Sequence, residues 1–335
     1  MSATTSHSRE RLMLCLSSLH DLAKVENLIR QKFASHAPRL REICAYLFDL
    51  GGKRIRPAIC LMTAKALQFD TSSSQDLVDV AAGIELIHMA TLLHDDIIDN
   101  AQLRRHSQSP YLKFGLGDTL LSGDFLLVRA FSLCAHLDQY IIDATERACV
   151  ELTEGEILET PLAKVTHSID SALDIARRKT ASLFRLACES AAFLARPGDT
   201  VITHFSAFGE SLGMAFQALD DILDVTASED LLGKASGTDI REKKPSLVNV
   251  LWLKSGDPVA ARMLLGEESV QDQQIADAVQ FLRGSDVIIE ARKIARSFAV
   301  EAESRLDEIS RLVEVDLPSF QGLKDLVSYC IERME

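Results

Sequence analysis

The sequence predicts an all-α protein, a single domain built as a bundle of long helices, and three observations carry that expectation. Apolar residues make up 47% of the 335 positions, while only 16 are Gly and 8 are Pro, too few for a turn-rich β architecture. Apolar positions recur at spacings of three and four, as in Leu40, Ile43, Cys44 and Leu47, which is the period of a helix packed on one side. No linker of any length divides the chain, which is long enough to bury one large core. Residues 1–30 read as a partly helical N-terminal segment whose Ser- and Thr-rich start is frayed, and residues 31–335 as the domain itself.

Taken in order, helical periodicity runs from Leu12 to Leu50 and stops at Gly51-Gly52-Lys53-Arg54-Ile55-Arg56-Pro57. Two glycines let the backbone turn tightly, and Pro57 fits the first turn of the next helix. Lys53 and Arg56 are thereby held near a helix N-terminus, where cations and backbone N–H groups together receive an anion. A basic helix start on the surface reads the same way. A Thr71–Ser74 loop precedes the helix that carries Glu85 to Arg105. Asp118–Leu137 and Tyr140–Glu159 are two further helices, the second closing on Glu154-Gly155-Glu156. Along Asp174–Leu194, Lys179 and Thr180 interrupt an apolar face, which costs burial energy unless they find partners or the lysine snorkels to solvent. A helix from Val201 ends in a second acidic cluster, and the Gly- and Lys-containing stretch Leu232–Pro245 follows it, either a mobile cationic flap over a phosphate site or an ordinary solvated loop. Beyond Pro245, Ala276–Leu282 and Val287–Leu312 are helical, with charges outward and no chemistry-bearing cluster, and read as scaffold.

The two acidic clusters are the informative feature. Asp95 and Asp99 stand one helical turn apart, roughly 6 Å along the axis, and point the same way. Bare carboxylates that close repel and require a cation. An oxygen-only pair suits Mg²⁺, which shares its site with substrate phosphates. Arg104 and Arg105, just beyond, are then further phosphate partners. A lone cluster of this kind would be surface decoration in a chain with 49 acidic residues, but Asp220-Asp221-x-x-Asp224 repeats the spacing at the end of another apolar helix. The net charge of -13 argues against a nucleic-acid surface, although metal ions let an acidic protein bind a polyanion. Glu85-x-x-His88 is half of a di-iron helix motif, and no second copy exists. His88 either donates to a phosphate or is a satisfied core histidine. Seven scattered cysteines without C-x-x-C spacing read as buried thiols of a reducing cytoplasm. No uninterrupted apolar run approaches the ~18 residues of a membrane span.

With these stations in view, the chain resembles the trans-type polyprenyl diphosphate synthases, on GGKRIRP, HMATLLHDDIIDNAQLRR, GEILE, KTASLF, FQALDDILD and GKASGTDIREKKPSL in that order. The resemblance implies helices around a deep central cavity, usually in a homodimer, with the two aspartate motifs facing each other across its mouth. It implies two or three Mg²⁺ ions held by Asp95 and Asp99 on one wall and Asp220 and Asp224 on the other, with Asp96 and Asp221 in support. Lys179, Lys234 and Arg104 match partners of the allylic diphosphate, and Lys53, Arg56, His88 and Arg105 those of isopentenyl diphosphate. Thr180 and Gln217 match polar groups beside the reacting carbons, and Lys244 the flap lysine. The family has Gly where this chain has His106, and Gly-Lys where it has Lys243-Lys244, so the local turn and the identity of the closing lysine are open. Short-chain members carry a bulky aromatic four or five residues before the first aspartate, where this chain has Ala90 and Thr91. With Ile87 and Gly83 deeper on the same helix, these small positions imply a long product of about octaprenyl length, of the kind used for a ubiquinone side chain and made from farnesyl diphosphate. The rivals are a short-chain farnesyl or geranylgeranyl synthase, a terpene cyclase, and a non-catalytic subunit of a heterodimeric synthase. The protein is expected to be cytoplasmic, touching a membrane only transiently during product release.

Overall fold

The structure is a computed structural model and describes residues 19–227 and 236–334. The chain runs through α1 (His20–Lys32), α2 (Pro38–Asp49), α3 (Ile55–Ala66) and α4 (Gln75–Ile98), then a short antiparallel hairpin of β1 (Leu103–Arg104) and β2 (Ser107–Gln108). It continues through α5 (Pro110–Phe114), α6 (Leu116–Cys134), α7 (Gln139–Leu158), α8 (Ile169–Ala176), a π-helical turn (Arg177–Ala181), α9 (Ser182–Ala195) and α10 (Asp199–Thr226). The remainder is α11 (Thr238–Glu242), α12 (Leu247–Lys254), α13 (Pro258–Ala260), a second π-helical turn (Ala261–Leu265), α14 (Asp272–Arg283), α15 (Asp286–Leu312) and α16 (Leu317–Met334). The expected all-α architecture is the one observed.

Helix α4 is the axis. Ser74 caps its start, its hydroxyl accepting the Leu77 amide at 3.2 Å, and every residue from Leu77 to Ile87 is buried. A helix that is apolar all round must be enclosed by others. By length and composition alone α4 resembles a membrane span, but 78% of its most apolar stretch is buried inside the fold, as a core helix should be. Its chief partner is α6, and the other large pairing is α10 against α15, with α9 wedged beside α10 and α3. Phe184, Phe205, Phe208 and Trp252 are fully enclosed. The six cysteines among the described residues are free, five of them buried.

Two sequence expectations change here. The helix expected over Leu12–Leu50 breaks between Lys32 and Pro38, because Pro38 has no N–H to continue a helix and sits instead at its first position. Val25 and Ile29 of α1 are fully buried, so the bundle already includes the end of the N-terminal segment; the expected frayed start lies outside the described residues. The helix expected over Asp174–Leu194 is interrupted by the π turn at Arg177–Ala181. One extra residue per turn there re-aims Lys179 and Thr180, a local irregularity that recurs at functional sites.

Two glycines let neighbouring helices close on that turn. A methyl group at Gly155 of α7 would come within 2.8 Å of Lys179 Cγ, and one at Gly213 of α10 within 2.6 Å of Ala181 Cα. Gly213→Ala must therefore push α10 off the π turn and is expected to cost about 1–3 kcal/mol in denaturant unfolding. Gly117→Ala, where a methyl meets nothing within 4 Å, is expected to be neutral or to stabilise by up to about 1 kcal/mol.

Candidate active site

A cavity of about 640 Å³ opens between α3, α4, the hairpin, the π turn, α9, α10 and α16. Of the carboxylates expected from the sequence, Asp95, Asp99, Asp220 and Asp221 line it; so do Lys179, Thr180, Gln217 and Lys244. Lys53, Arg56, His88, Thr91, Arg104 and Arg105 line it as well. Lys234 lies outside the described residues.

The acidic rim starts at the last turn of α4, where the Asp99 amide still donates to the Asp95 carbonyl at 2.8 Å. Both carboxylates thus sit at the negative end of the helix dipole. Burial, with Glu156 and Asp99 nearby, pushes the Asp95 carboxyl up from its ordinary 3.8 to about 7, against the pull of Lys179 and Arg104. Asp96 turns away from the cavity and is fully buried, its Oδ1 accepting Arg104 Nη2 at 2.6 Å and Nε at 2.7 Å while its Oδ2 has no partner. On α10, Asp220 faces the cavity and Asp221 is locked behind it. Asp221 accepts Gln217 Nε2 and the Leu247 amide, each at 2.8 Å, and Thr180 Oγ1 donates to Gln217 Oε1 at 2.5 Å. Burial and the charge of Asp239 hold Asp221 well above the usual carboxylate range.

Asp224, expected among the metal ligands, is placed differently from Asp220. It does not line the cavity: its carboxylate accepts the Asp239 amide at 3.1 Å, and its carbonyl accepts the Gly237 amide at 2.8 Å and Ser236 Oγ at 2.9 Å. The reason is geometric, since the turn that leads into α11, Ser236 to Asp239, is stitched down at that point. Asp239, which sequence reasoning passed over, lines the cavity instead.

The cations beside this rim are all paired with carboxylates. Lys179 Nζ binds Glu156 at 2.7 Å and Glu159 at 2.6 Å, which answers the question of what an interrupting lysine is for. Burial alone would lower its pKa, but Glu159, Glu156 and Asp95 raise it to about 12. Lys244 Nζ binds Asp99 at 2.8 Å and Glu242 at 3.1 Å, with Glu159 at 3.9 Å. The two adjacent lysines diverge: Lys243 has a left-handed backbone (φ 54°), and its ammonium points away to the carbonyls of Gly266 and Glu268. The other departure from the family pattern resolves similarly. Arg105 and His106 both have positive φ, 52° and 64°, forming the two-residue turn of a tight hairpin in which Leu103 faces Gln108 and Arg104 faces Ser107. His106 tolerates a backbone that glycine would adopt without strain.

The opposite wall is cationic and carries no such pairing. Among the described residues, no carboxylate lies within ion-pair distance of Lys53, Arg56 or Arg105. Burial lowers Arg56 to about 10, its Nε is buried without a hydrogen-bond partner, and its guanidinium lies 5.0 Å from the Phe184 ring centre. Burial and the surrounding arginines hold His88 well below its ordinary pKa, so it is a neutral group. Behind this wall Arg54 is buried, donating to Glu85 at 3.1 Å and to the Phe48 carbonyl at 3.1 Å. Glu85, rejected as half of a di-iron motif, is thus the counter-charge of Arg54. The C-terminal helix α16, which lies beyond the stretches singled out in the sequence, contributes Tyr329 and Arg333 to the cavity.

A metal ion fits the acidic side. The donors are all carboxylate oxygens, and Asp95 is desolvated and lacks a compensating charge at contact distance. Asp95, Asp99 and Asp220 would hold a hard divalent cation such as Mg²⁺, which would neutralise charge on a bound diphosphate.

Helices wrapped around one hollow, acidic on one side and cationic on the other, define a helical prenyltransferase of the isoprenoid synthase fold. The family model for polyprenyl synthetase matches residues 37–282, and the chain belongs to that family. It is 31% identical to the nonaprenyl diphosphate synthase of Mycobacterium tuberculosis, covering 93% of this chain and 92% of that one. It is 30% identical to the geranylgeranyl diphosphate synthase of Methanosarcina mazei, over 86% and 88% of the two chains. Among solved structures, the polyprenyl synthase of Caulobacter crescentus, complexed with calcium and isoprenyl diphosphate, superposes with a TM-score of 0.87 at 28% identity, over 97% and 98% of the chains.

Asp95→Asn is expected to abolish turnover while leaving the metal-free fold at least as stable as wild type. The sign follows from the raised carboxyl: its stabilising contribution is complete below its ordinary 3.8 and is lost as pH rises toward about 7. Melting in chelator should therefore show the variant's advantage growing over that window. For the two lysines, Lys244→Ala is expected to lower turnover at least about 100-fold, whereas Lys243→Ala is expected to keep turnover and lose melting temperature, both read on the same preparations.

Proposed function

We propose that the protein extends an allylic diphosphate, farnesyl diphosphate, by successive head-to-tail condensation with isopentenyl diphosphate, to an all-trans polyprenyl diphosphate of about octaprenyl length destined for a ubiquinone side chain. One observation supports the reading: a single cavity is lined on one side by lysines paired with carboxylates and on the other by cations with no carboxylate at ion-pair distance among the described residues. A reaction that joins two diphosphates needs that division.

When bound, Mg²⁺ supplies charge neutralisation that makes the allylic diphosphate a better leaving group. Lys179, Lys244 and Arg104 exchange carboxylate for diphosphate oxygens and stabilise the charge that develops there. The allylic C–O bond breaks with its electron pair going to pyrophosphate, the double bond of isopentenyl diphosphate attacks the resulting carbocation, and a proton is then lost. Pyrophosphate is the base, in keeping with a lowered His88 pKa that makes its imidazole a weak proton acceptor on the other wall. Lys53, Arg56 and Arg105 hold isopentenyl diphosphate, and the Thr180–Gln217 pair lies beside the reacting carbons. Apolar surroundings keep water from the cation.

The product-length proposal rests on α4. Thr91 lines the cavity one turn below Asp95, and neither Thr91 nor Ala90 before it is aromatic. Ala90 and Ile87 are buried and do not line the mouth; Gly83 backs onto α6, 3.5 Å from Cys134 measured from where its Cβ would be. Cys134 in turn lines a second, apolar cavity of about 630 Å³ between α6 and α7. A homodimer is supported by the same two helices, which leave Leu121, Val128, Phe131, Val150 and Ile157 exposed. A cytoplasmic setting is supported by the free thiols.

Incubating the purified chain with farnesyl diphosphate, labelled isopentenyl diphosphate and Mg²⁺ is expected to give one long product series, silenced by chelator. No incorporation by the chain alone would overturn the reading in favour of a partner-dependent subunit, and a cyclised hydrocarbon would favour a cyclase. Thr91→Phe is expected to shift the series to shorter chains; an unchanged distribution would remove α4 as the determinant of length.

A further inference from the structure

Two lysines of the active-site cavity meet at one carboxylate oxygen. Glu159 Oε2 accepts Lys179 Nζ at 2.6 Å and lies 3.9 Å from Lys244 Nζ. The backbone fixes it there. The Glu159 amide donates to the Gly155 carbonyl at 3.0 Å where α7 ends, and the Leu162 amide donates to the Lys243 carbonyl at 2.9 Å, which ties the stretch that carries Glu159 to the one that carries Lys244. Neither lysine depends on this carboxylate for a counter-charge. Lys179 also has Glu156 at 2.7 Å, and Lys244 has Asp99 at 2.8 Å and Glu242 at 3.1 Å. Glu159 does depend on them, because the two lysines are its only ion-pair partners among the described residues. Burial pushes its carboxyl up, against the pull of Lys179 and Lys244. A diphosphate that draws both lysines to itself therefore strands a largely buried carboxylate. Asp99 differs, since it stands among the carboxylates suited to Mg²⁺ and would gain a cation on giving up Lys244.

We propose that Glu159 is the counter-ion that takes Lys179 and Lys244 back from pyrophosphate, a positioning residue that speeds departure of the leaving group between successive condensations. This rests on the function proposed above. Glu159 competes with every bound diphosphate for the same two ammonium groups, so it weakens the grip on pyrophosphate and shortens its stay. The effect is confined to the side of the cavity where lysines pair with carboxylates, and it spares the isopentenyl diphosphate bound by Lys53, Arg56 and Arg105.

The test is titration calorimetry of the full chain with inorganic pyrophosphate at fixed Mg²⁺, beside steady-state kinetics of the same preparations. Glu159→Gln is expected to bind pyrophosphate about ten-fold more tightly than wild type. It is expected to turn over more slowly as release becomes limiting, with KM for isopentenyl diphosphate within about two-fold of wild type. Damage to the fold weakens binding, so a gain in affinity is an outcome that a merely structural role does not produce. Glu156→Gln, which touches Lys179 alone, is expected to change the pyrophosphate affinity by a smaller factor. Unchanged or weaker pyrophosphate binding by Glu159→Gln, or tighter binding without slower turnover, would overturn the assignment. Should that variant not fold, Glu159→Ala is read in the same way, and failure of both to fold would make Glu159 a structural ion-pair residue and overturn the proposal equally. Failure of the functional reading looks different, since the wild-type chain would then incorporate no label from isopentenyl diphosphate, whatever its affinity for pyrophosphate.

Discussion

The ion pairs that join Lys179 and Lys244 to Glu159, Glu156 and Asp99 are the interaction on which the rest of the site depends. Gathering this many charges into one partly buried hollow is costly, and each must find a partner of opposite sign or remain in contact with solvent. On the acidic side the solution is alternation, lysine against carboxylate, in an arrangement that a diphosphate with its metal can replace partner for partner. Much of the surrounding architecture serves that alternation. Gly155 admits α7 close enough for Glu156 and Glu159 to reach Lys179, the π turn presents Lys179 toward them, and the left-handed backbone at Lys243 turns Lys244 toward Asp99.

Most of the fold was legible because its signal is local. The apolar repeat at three and four residues located nearly all the long helices, and the Asp-x-x-x-Asp spacing placed Asp95 and Asp99 on one face of α4. Periodicity is blind to a single inserted residue, so the π turn at Lys179 passed unnoticed, and with it the reason a lysine and a threonine interrupt an apolar face. Repetition of a motif does not fix where each of its carboxylates faces. Asp224 occupies the same position in its cluster as Asp99, but the backbone of Asp239 reaches it first. No periodicity distinguishes a carboxylate that faces a cavity from one that fastens a turn.

The choice between Lys243 and Lys244 and the participation of α16 depended on information that no local pattern contains. The first turns on a left-handed backbone at Lys243 that sends adjacent side chains in opposite directions. The second joins residues 276 positions apart, Lys53 and Tyr329. A tyrosine and an arginine at i and i+4 on an amphipathic helix look like an ordinary half-exposed stripe until the other end of the chain is laid beside them. Glu85 belongs in the same group, since its partner Arg54 follows the glycine pair where the sequence drew attention to Lys53 and Arg56 instead.

The hairpin after α4 sorts its two arginines by direction. Arg104, in a strand, swings back to Asp96 behind the rim, while Arg105, in the turn, comes near Gly52 and the unpaired cations. With a pleat that alternates every residue and a loop of only two, the ribbon has no slack. Losing or gaining one residue between Ile98 and Ser107 would trade the two guanidinium groups, leaving Asp96 with an uncompensated charge and crowding the facing wall with another cation. A stretch whose side chains contribute little to the core is therefore among the least tolerant of any change in length.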